Sequence, residues 1–326
     1  MVHRPSSKLA TALKDWPTEV SRTTELRVEM QKKQKIVVAG ASGFIGRSLL
    51  ADLCALPYDI VALTRQSIGD ENSNIRWCQI PSYTENEAFS QACIGADALI
   101  MLADNPARTG YEEAANEVDT SWIQAALDQG VSKVVFASSI YARLAEGGAQ
   151  SDYGQHKLLI EKDLAAAVGL PNVILRLPPV YGPRSKGGFS FLVKLVKKMP
   201  VLPFGNANAP RDYLFVSNLT SLLIRLLELT NEDFSRISGT IYEPCDGQST
   251  STAELVKLMR EAQQRTCFNV PFPQSAIRLA GRLLGAEQAI AGALDTLVAK
   301  QSPSLDEDIG WTAQTQLPET LAFLRD

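Results

Sequence analysis

Lys35-Ile36-Val37-Val38-Ala39-Gly40-Ala41-Ser42-Gly43-Phe44-Ile45-Gly46 is the stretch on which the fold turns. Ile36 to Ala39 is a short apolar run rich in β-branched residues, and it stops at a glycine. A run of this kind, bounded by a turn signal, predicts a strand buried on both faces. The amphipathic pattern over roughly 44–55 predicts a helix. Between the two, the glycines follow G-x-x-G-x-x-G. Gly40 would permit the tight turn, Gly43 would let a pyrophosphate approach the backbone, and Gly46 would let helix and strand pack closely. The helix N-terminus would offer free N–H groups and a positive dipole end to the phosphates. In this strand–loop–helix setting the motif predicts dinucleotide binding. The alternative is a glycine turn that only packs strand on helix.

Outward from this unit the pattern repeats. Further strands are expected at Ile60–Leu63, Ala98–Leu102, Val134–Ala137 and Val173–Leu177, with helices at 85–94, 111–129 and 154–168. Gly130 sits where a helix C-terminus takes a left-handed residue. Short buried strands alternating with helices give an α/β fold, a Rossmann-type doubly wound parallel sheet. After Leu177 the chain becomes loop-rich, with Pro178, Pro179, Gly182, Pro183, Gly187 and Gly188. Helices then recur near 189–199, 217–230 and 252–264, the last announced by a capping box from Ser251 to Glu254. The expected organisation is a polar extension over 1–34 and a cofactor-binding domain over 35–178 with 213–240. A smaller mixed α/β substrate lobe covers 179–212 with 241–326.

Composition narrows the chemistry. The 326 residues carry a net charge of −4, which argues against a protein that coats nucleic acid. The five cysteines show no C-x-x-C spacing, so neither a disulfide framework nor a structural zinc is expected. The two histidines are His3 and His156. His-based proton transfer is therefore poorly supplied, and no metal site is expected. No apolar run approaches a membrane span. The first 34 residues lack a secretory h-region and mix Arg4, Lys8 and Arg22 with Asp15, Glu19 and Glu25, against both a signal and a transit peptide. A cytoplasmic location is expected, and Met30 is a candidate native start.

Two further features point to redox chemistry at a hydroxyl or carbonyl carbon. An acid at the end of the second strand would hold the ribose hydroxyls of NAD. Here that strand runs into Thr64-Arg65-Gln66-Ser67, and the Arg65 guanidinium suits a 2′-phosphate. This favours NADP over NAD, the alternative being a solvated surface arginine. Tyr153-Gly154-Gln155-His156-Lys157 is Y-x-x-x-K. On a helix its ends share one face. A tyrosine of ordinary pKa about 10 is a poor base at neutral pH. A neighbouring ammonium favours its phenolate, which can then take a proton from an alcohol. Ser138 and Ser139 follow the strand at 134–137, on the edge where such sheets bind ligands. His156, three positions from Tyr153, reads as a surface or cofactor-edge residue rather than a catalyst.

Taken in order, these blocks resemble the extended short-chain dehydrogenase/reductases, in particular the NAD(P)-dependent nucleotide-sugar epimerases, dehydratases and ketoreductases. The likeness runs from about Lys35 to the C-terminus. It rests on the glycine loop, Asn116 and Thr120, Val135-Phe136-Ala137-Ser138-Ser139, and Tyr153 with Lys157. It extends through Leu175-Arg176-Leu177-Pro178-Pro179-Val180-Tyr181-Gly182-Pro183, Arg211-Asp212-Tyr213-Leu214-Phe215-Val216 and the block 241–254.

The resemblance implies roles. Ser139 would orient substrate, Tyr153 would act as acid/base, and Lys157 would contact ribose and tune Tyr153. Gly40, Ser42, Gly43, Phe44, Ile45, Gly46, Arg65, Leu102, Ala103, Asn116 and Ser138 would line the cofactor. Pro178 and Val180 would lie beside the nicotinamide. Arg184 and Arg211 would bind substrate, Arg211 at a nucleotide diphosphate; a structural ion pair with Asp212 or a nearby acid is its alternative role. A homodimer through the helices of 88–127 and 154–168 is implied by analogy. Two departures sharpen the picture. Ile80-Pro81-Ser82-Tyr83 lacks the Asp that many members use at the adenine. Ile140-Tyr141-Ala142 stands where the 4,6-dehydratases carry Thr-Asp-Glu, so dehydration is not expected. The short segment from Ser139 to Tyr153, with Glu146-Gly147-Gly148, predicts a small mobile lid.

The expected function is a nucleotide-sugar 4-epimerase or 4-ketoreductase with a Ser-Tyr-Lys site and NADP or NAD as cofactor. Alternatives are an NADP-dependent reductase of a non-sugar carbonyl (lipid, steroid or phenolic) and a non-catalytic NADP-binding redox sensor.

Overall fold

The computed structural model describes residues 33–66, 75–80, 86–103, 120–148, 151–283 and 287–325. Strand β1 (Lys35–Ala39) is followed by α1 (Phe44–Leu53), β2 (Asp59–Thr64), β3 (Ile75–Gln79), α2 (Asn86–Cys93), β4 (Ala98–Met101), α3 (Ser121–Asp128), β5 (Lys133–Ser139), α4 (Ile140–Glu146), α5 (Asp152–Ala166) and β6 (Asn172–Leu177). Then come β7 (Val180–Tyr181), α6 (Gly188–Lys198), β8 (Val201–Leu202), β9 (Leu214–Phe215), α7 (Val216–Glu228), α8 (Asn231–Arg236) and β10 (Ile241–Tyr242). The chain closes with α9 (Thr252–Ala262), β11 (Phe268–Asn269), α10 (Gln274–Leu283), α11 (Glu287–Leu294), α12 (Leu305–Ile309) and a 3₁₀ turn over Glu319–Arg325.

Seven strands form one sheet in the order β10-β6-β5-β4-β1-β2-β3. Every pairing within it is parallel. This is the doubly wound arrangement, and the strand order reverses between β1 and β4. Alternation along β1 explains the two layers. Ile36 and Val38 face a core with Leu49, Leu53 and the leucines of α7, while Val37 and Ala39 face Phe89, Trp122, Ile160 and Leu164. In α7, Leu219, Leu222, Leu223, Leu226 and Leu227 recur at helical spacing and are all buried. Lys133, at the opposite edge of β5 from the serines, is buried and donates to the Leu229 carbonyl and, at 2.8 Å, to that of Leu227, closing the C-terminus of α7. Burial holds its pKa below the ordinary lysine value.

A third core gathers Tyr181, Phe189, Val196, Phe204, Tyr213, Leu255, Met259 and Leu321 from the segments after β6. The large sheet nevertheless takes β10 from sequence assigned above to the small lobe, because Ile241 and Tyr242 pair with Ile174 and Leu175. Gly130 takes φ +66° after α3. Ser251 caps α9 by accepting from the Glu254 amide. Of the stretch expected as a mobile lid, from Ser139 to Tyr153, residues Ile140–Glu146 form helix α4. Ser139 caps its N-terminus, and Ile140, Ala142 and Ala145 are buried in it, so the segment gains more by packing than a Gly-rich loop could. Of the expected extension over 1–34, residues 1–32 lie outside the described residues, as do residues 111–119 of the helix expected over 111–129. Among the described residues no helix is long and apolar enough to cross a membrane.

Candidate active site

The crevice at the β1/β4 reversal is built by the glycine loop. Gly40 has φ +83°, and a Cβ there would stand 2.7 Å from the Ala103 amide nitrogen and 2.9 Å from the Leu102 carbonyl carbon. Only glycine fits, in conformation and in space. A Cβ on Gly46 would stand 2.4 Å from the Gly40 oxygen, so helix α1 leaves the loop at the closest possible approach. Gly43 differs. It is exposed, and a Cβ there would meet only the Gly40 oxygen, at 3.1 Å. Gly43 caps α1 without a side-chain bond, and the first turn holds no acid. The Gly43 amide itself donates to the Gly40 carbonyl at 3.0 Å and closes the loop, so an anion would be met by the uncapped N–H groups of the first turn of α1, which opens at the half-buried Phe44 and Ile45. Thr64 donates to Ser42 Oγ at 2.8 Å and ties the loop to the end of β2, where Arg65 is exposed. These residues fit a dinucleotide.

Helix α5 opens at Ser151, whose hydroxyl accepts from the Gly154 amide. This cap places Tyr153 in the first turn and Lys157 one turn further on. Lys157 is buried, and its Nζ donates to the Ala137 carbonyl at 2.9 Å. The same ammonium lies 4.9 Å from the Phe136 ring centroid and 5.9 Å from that of Tyr153. Tyr153 is half-buried, with its ring edge-on to Tyr141 at 6.3 Å. Ser139 is buried at the end of β5, and its hydroxyl accepts from the Tyr141 amide at 3.3 Å. The structure thus brings Ser139, Tyr153 and Lys157 to one end of β5. A serine hydroxyl, a phenol and a fixed cation at one sheet edge can hydrogen-bond a substrate oxygen and exchange a proton with it.

Three features of this corner escape sequence reasoning. The first is Glu161, which accepts from the Ser138 hydroxyl and from Arg176, whose Nε and Nη2 lie 3.1 and 2.7 Å from Glu161 Oε2. Arg176 also meets Glu146 at 3.2 Å. Burial would pull the Arg176 pKa down, but the bonds and charges of Glu161 and Glu146 outweigh it and hold it above the ordinary value. Ser138, expected at the cofactor, spends its hydroxyl on this cluster and is 3% exposed. The signal for Glu161 was available: residues 153, 157 and 161 share one helix face at i, i+4 spacing.

The second is Gly154. A Cβ there would stand 2.3 Å from the Tyr141 carbonyl oxygen, so α4 and α5 touch backbone to backbone. Gly154→Ala is expected to lower stability by about 1–3 kcal/mol through overpacking, and to displace Tyr153. Urea denaturation checks the first and turnover the second. The third is Tyr141 itself, brought beside Tyr153 by helix α4.

The remaining candidates are scattered more widely. Pro178 is buried, and Val180 pairs with Leu214. Arg184 is exposed, in a left-handed conformation at φ +65°. Thr120 donates to Asp163 at 2.8 Å and binds α3 to α5, while Asn116 lies outside the described residues. Arg211 is 3% exposed and donates to the Asp295 carbonyl, while its Nε has no partner among the described residues. The ion pair with Asp212 does not form. Asp212 accepts instead from Ser249 at 2.5 Å and from the Ala299 amide at 2.8 Å. Tyr213 lies in the fields of both Arg211 and Tyr141, though burial dominates and raises its pKa.

Comparison with known proteins identifies the family and the fold. The family model described as the NAD dependent epimerase/dehydratase family matches residues 36–238, more than half of the chain. The UDP-glucose 4-epimerase of Vibrio cholerae is 26% identical over 314 residues, covering 88% of this chain and 93% of that protein. The fold is similar to a Thermus thermophilus UDP-glucose 4-epimerase solved with NAD, at TM-score 0.66 and 21% identity, covering 90% of this chain and 98% of that one. It is also similar to a Thermotoga maritima UDP-glucose 4-epimerase solved with UDP-glucose, at TM-score 0.66 and 19% identity, over 90% and 97% of the two chains.

Proposed function

The chain belongs to the NAD dependent epimerase/dehydratase family, and on that premise we propose that it is a nucleotide-sugar 4-epimerase or 4-ketoreductase worked by Ser139, Tyr153 and Lys157. The observation that carries this reading is the Lys157 ammonium, fixed by the Ala137 carbonyl and set beside the Tyr153 ring. Ser139 would hold the sugar oxygen by a hydrogen bond. Tyr153 would take the proton of a hydroxyl, or return one to a carbonyl oxygen. Lys157 would stabilise the negative charge that develops on the Tyr153 oxygen. A bound nicotinamide supplies the hydride chemistry at the sugar carbon. The glycine loop, Leu102 and Ala103 would hold its dinucleotide, Pro178 and Val180 its reactive end.

The substrate class rests on the relatives and on Arg211. A buried guanidinium with an unpartnered Nε suits an incoming diphosphate. Residues 35–178 with 213–242, which include β10, would carry the cofactor, and 179–212 with 243–326 the sugar. Incubation with a panel of UDP-, GDP-, CDP- and dTDP-sugars, with and without reduced nicotinamide, tests the proposal. Epimer formation without net cofactor use identifies an epimerase. Stoichiometric oxidation of the cofactor by a 4-keto sugar identifies a reductase. A panel in which no nucleotide sugar reacts would overturn the reading.

NADP is proposed as the preferred cofactor, because Arg65 closes β2 where an acid would select NAD. Arg65→Asp is expected to shift the NADPH-to-NADH affinity ratio toward NADH by at least about tenfold, the worth of one charge-assisted contact. Tryptophan fluorescence titration with each cofactor measures it, and an unchanged ratio removes Arg65 from the argument.

A further inference from the structure

In the small lobe, β8 and β11 pair in parallel, with Phe268 opposite Val201 and Asn269 opposite Leu202. The ribbon continues through Phe268 N–H to the Pro200 carbonyl and Val270 N–H to the Leu202 carbonyl, both 2.8 Å. One face is turned to the core. Leu202 and Cys267 are buried, and Asn269 accepts from the Phe204 amide at 3.0 Å. A ribbon with one buried face ordinarily shows polar residues on the other. Here the outward residues are Met199, Val201, Phe268 and Val270, exposed by 47, 45, 60 and 37%, followed by Phe272 at 45%. Large apolar side chains gathered on one exposed face mark an interaction site.

The two stretches that supply the ribbon carry charge of one sign, although the neighbouring helix α9 brings Glu254 and Glu261. Although the chain carries −4 overall, residues 164–211 and 262–286, the two stretches that supply the ribbon, contain no Asp or Glu. Exposed Lys194, Lys197 and Lys198 end helix α6 directly before Met199, and exposed Arg265 precedes Phe268. A second copy seated on this face about a two-fold axis would set these cations against their own kind. The paired strands are two residues each, too short to template strand addition. The outward side chains bring no hydrogen-bonding groups with which to read a protein partner. Apolar tips ringed by lysine and arginine match a surface that is apolar within and anionic at its rim.

We propose that the β8–β11 ribbon is a docking surface for an anionic lipid bilayer, with Met199, Val201, Phe268 and Val270 entering the headgroup region and Lys197, Lys198 and Arg265 meeting the lipid charges. It draws on none of the residues of the candidate active site, so it stands apart from the proposed reaction.

The test is co-sedimentation of the full chain with sucrose-loaded vesicles of phosphatidylcholine, alone or mixed with phosphatidylglycerol. Binding is expected to the mixed vesicles, weakly to phosphatidylcholine alone, and to fall as salt is raised. Lys197→Ser and Lys198→Ser should each lower partitioning about fivefold. Phe268→Ser should lower it at least about tenfold, since most of an aromatic side chain leaves the apolar phase. Circular dichroism confirms that each variant keeps its fold. No sedimentation with the mixed vesicles, or sedimentation indifferent to these substitutions, overturns the proposal. So does a concentration-dependent dimer in sedimentation velocity that Phe268→Ser disperses, which would assign the face to a second copy.

Discussion

Tyr153→Phe should lower kcat by about 10²–10⁴-fold, the usual worth of one positioned acid/base, and leave cofactor binding in place. The substitution removes a single oxygen. It keeps the ring against Tyr141 and beside the Lys157 ammonium, so α5 has no reason to move. Cofactor affinity, read by tryptophan quenching, should stay near that of the parent, because the glycine loop supplies its phosphate contacts. Turnover of the sugar found in the panel should collapse, with KM little changed. Activity within a few-fold of the parent would remove Tyr153 from the role of acid/base. Loss of cofactor binding together with activity would show that the hydroxyl serves structure or ribose contact.

The second large effect concerns stability. Glu161→Leu should lower the unfolding free energy by about 3–5 kcal/mol, because it leaves Arg176 charged and buried with only the exposed Glu146 as partner. The double variant Glu161→Leu/Arg176→Met should recover most of that loss, since well-packed apolar residues can replace a buried pair. Urea denaturation of the single and double variants measures both. An equally unstable double variant would mean that the bond from Ser138 or the packing of α5, and not the ion pair, carries the energy. Glu161 lies on the helix face of Tyr153 and Lys157 and ties α5 to β5 and β6. Turnover should therefore recover less completely than stability in the double variant.

The cofactor half of the site was legible in sequence because its parts are local. The strand at 35–39, the glycines and the helix from Phe44 lie within about one βα unit, and each residue's job follows from backbone geometry at that spot. Y-x-x-x-K was legible for the same reason, since one helical turn joins its two ends. The segment between Ser139 and Tyr153 was misread. Its two glycines do end a helix, as C-cap and left-handed turn, but the residues before them are helical because Ile140, Ala142 and Ala145 pack inward and Ser139 caps the helix. The Arg211–Asp212 alternative failed because neighbours along an irregular segment need not face each other. Each side chain found a partner some 37 to 87 positions away instead.

By itself, then, the sequence determined the doubly wound sheet and the glycine loop at its reversal, and it offered Tyr153 rather than a histidine as the candidate for moving the proton. Those follow from residue periodicity, from which residues can take φ +83°, and from a chain with two histidines. Tertiary structure alone decided that Glu161 and Arg176 share a buried pair behind Ser138, that Gly154 is the contact between α4 and α5, and that an apolar ribbon faces outward among lysines. Each of these is a meeting of segments distant along the chain. Residue type and spacing cannot state what a side chain finds opposite it once the backbone has turned.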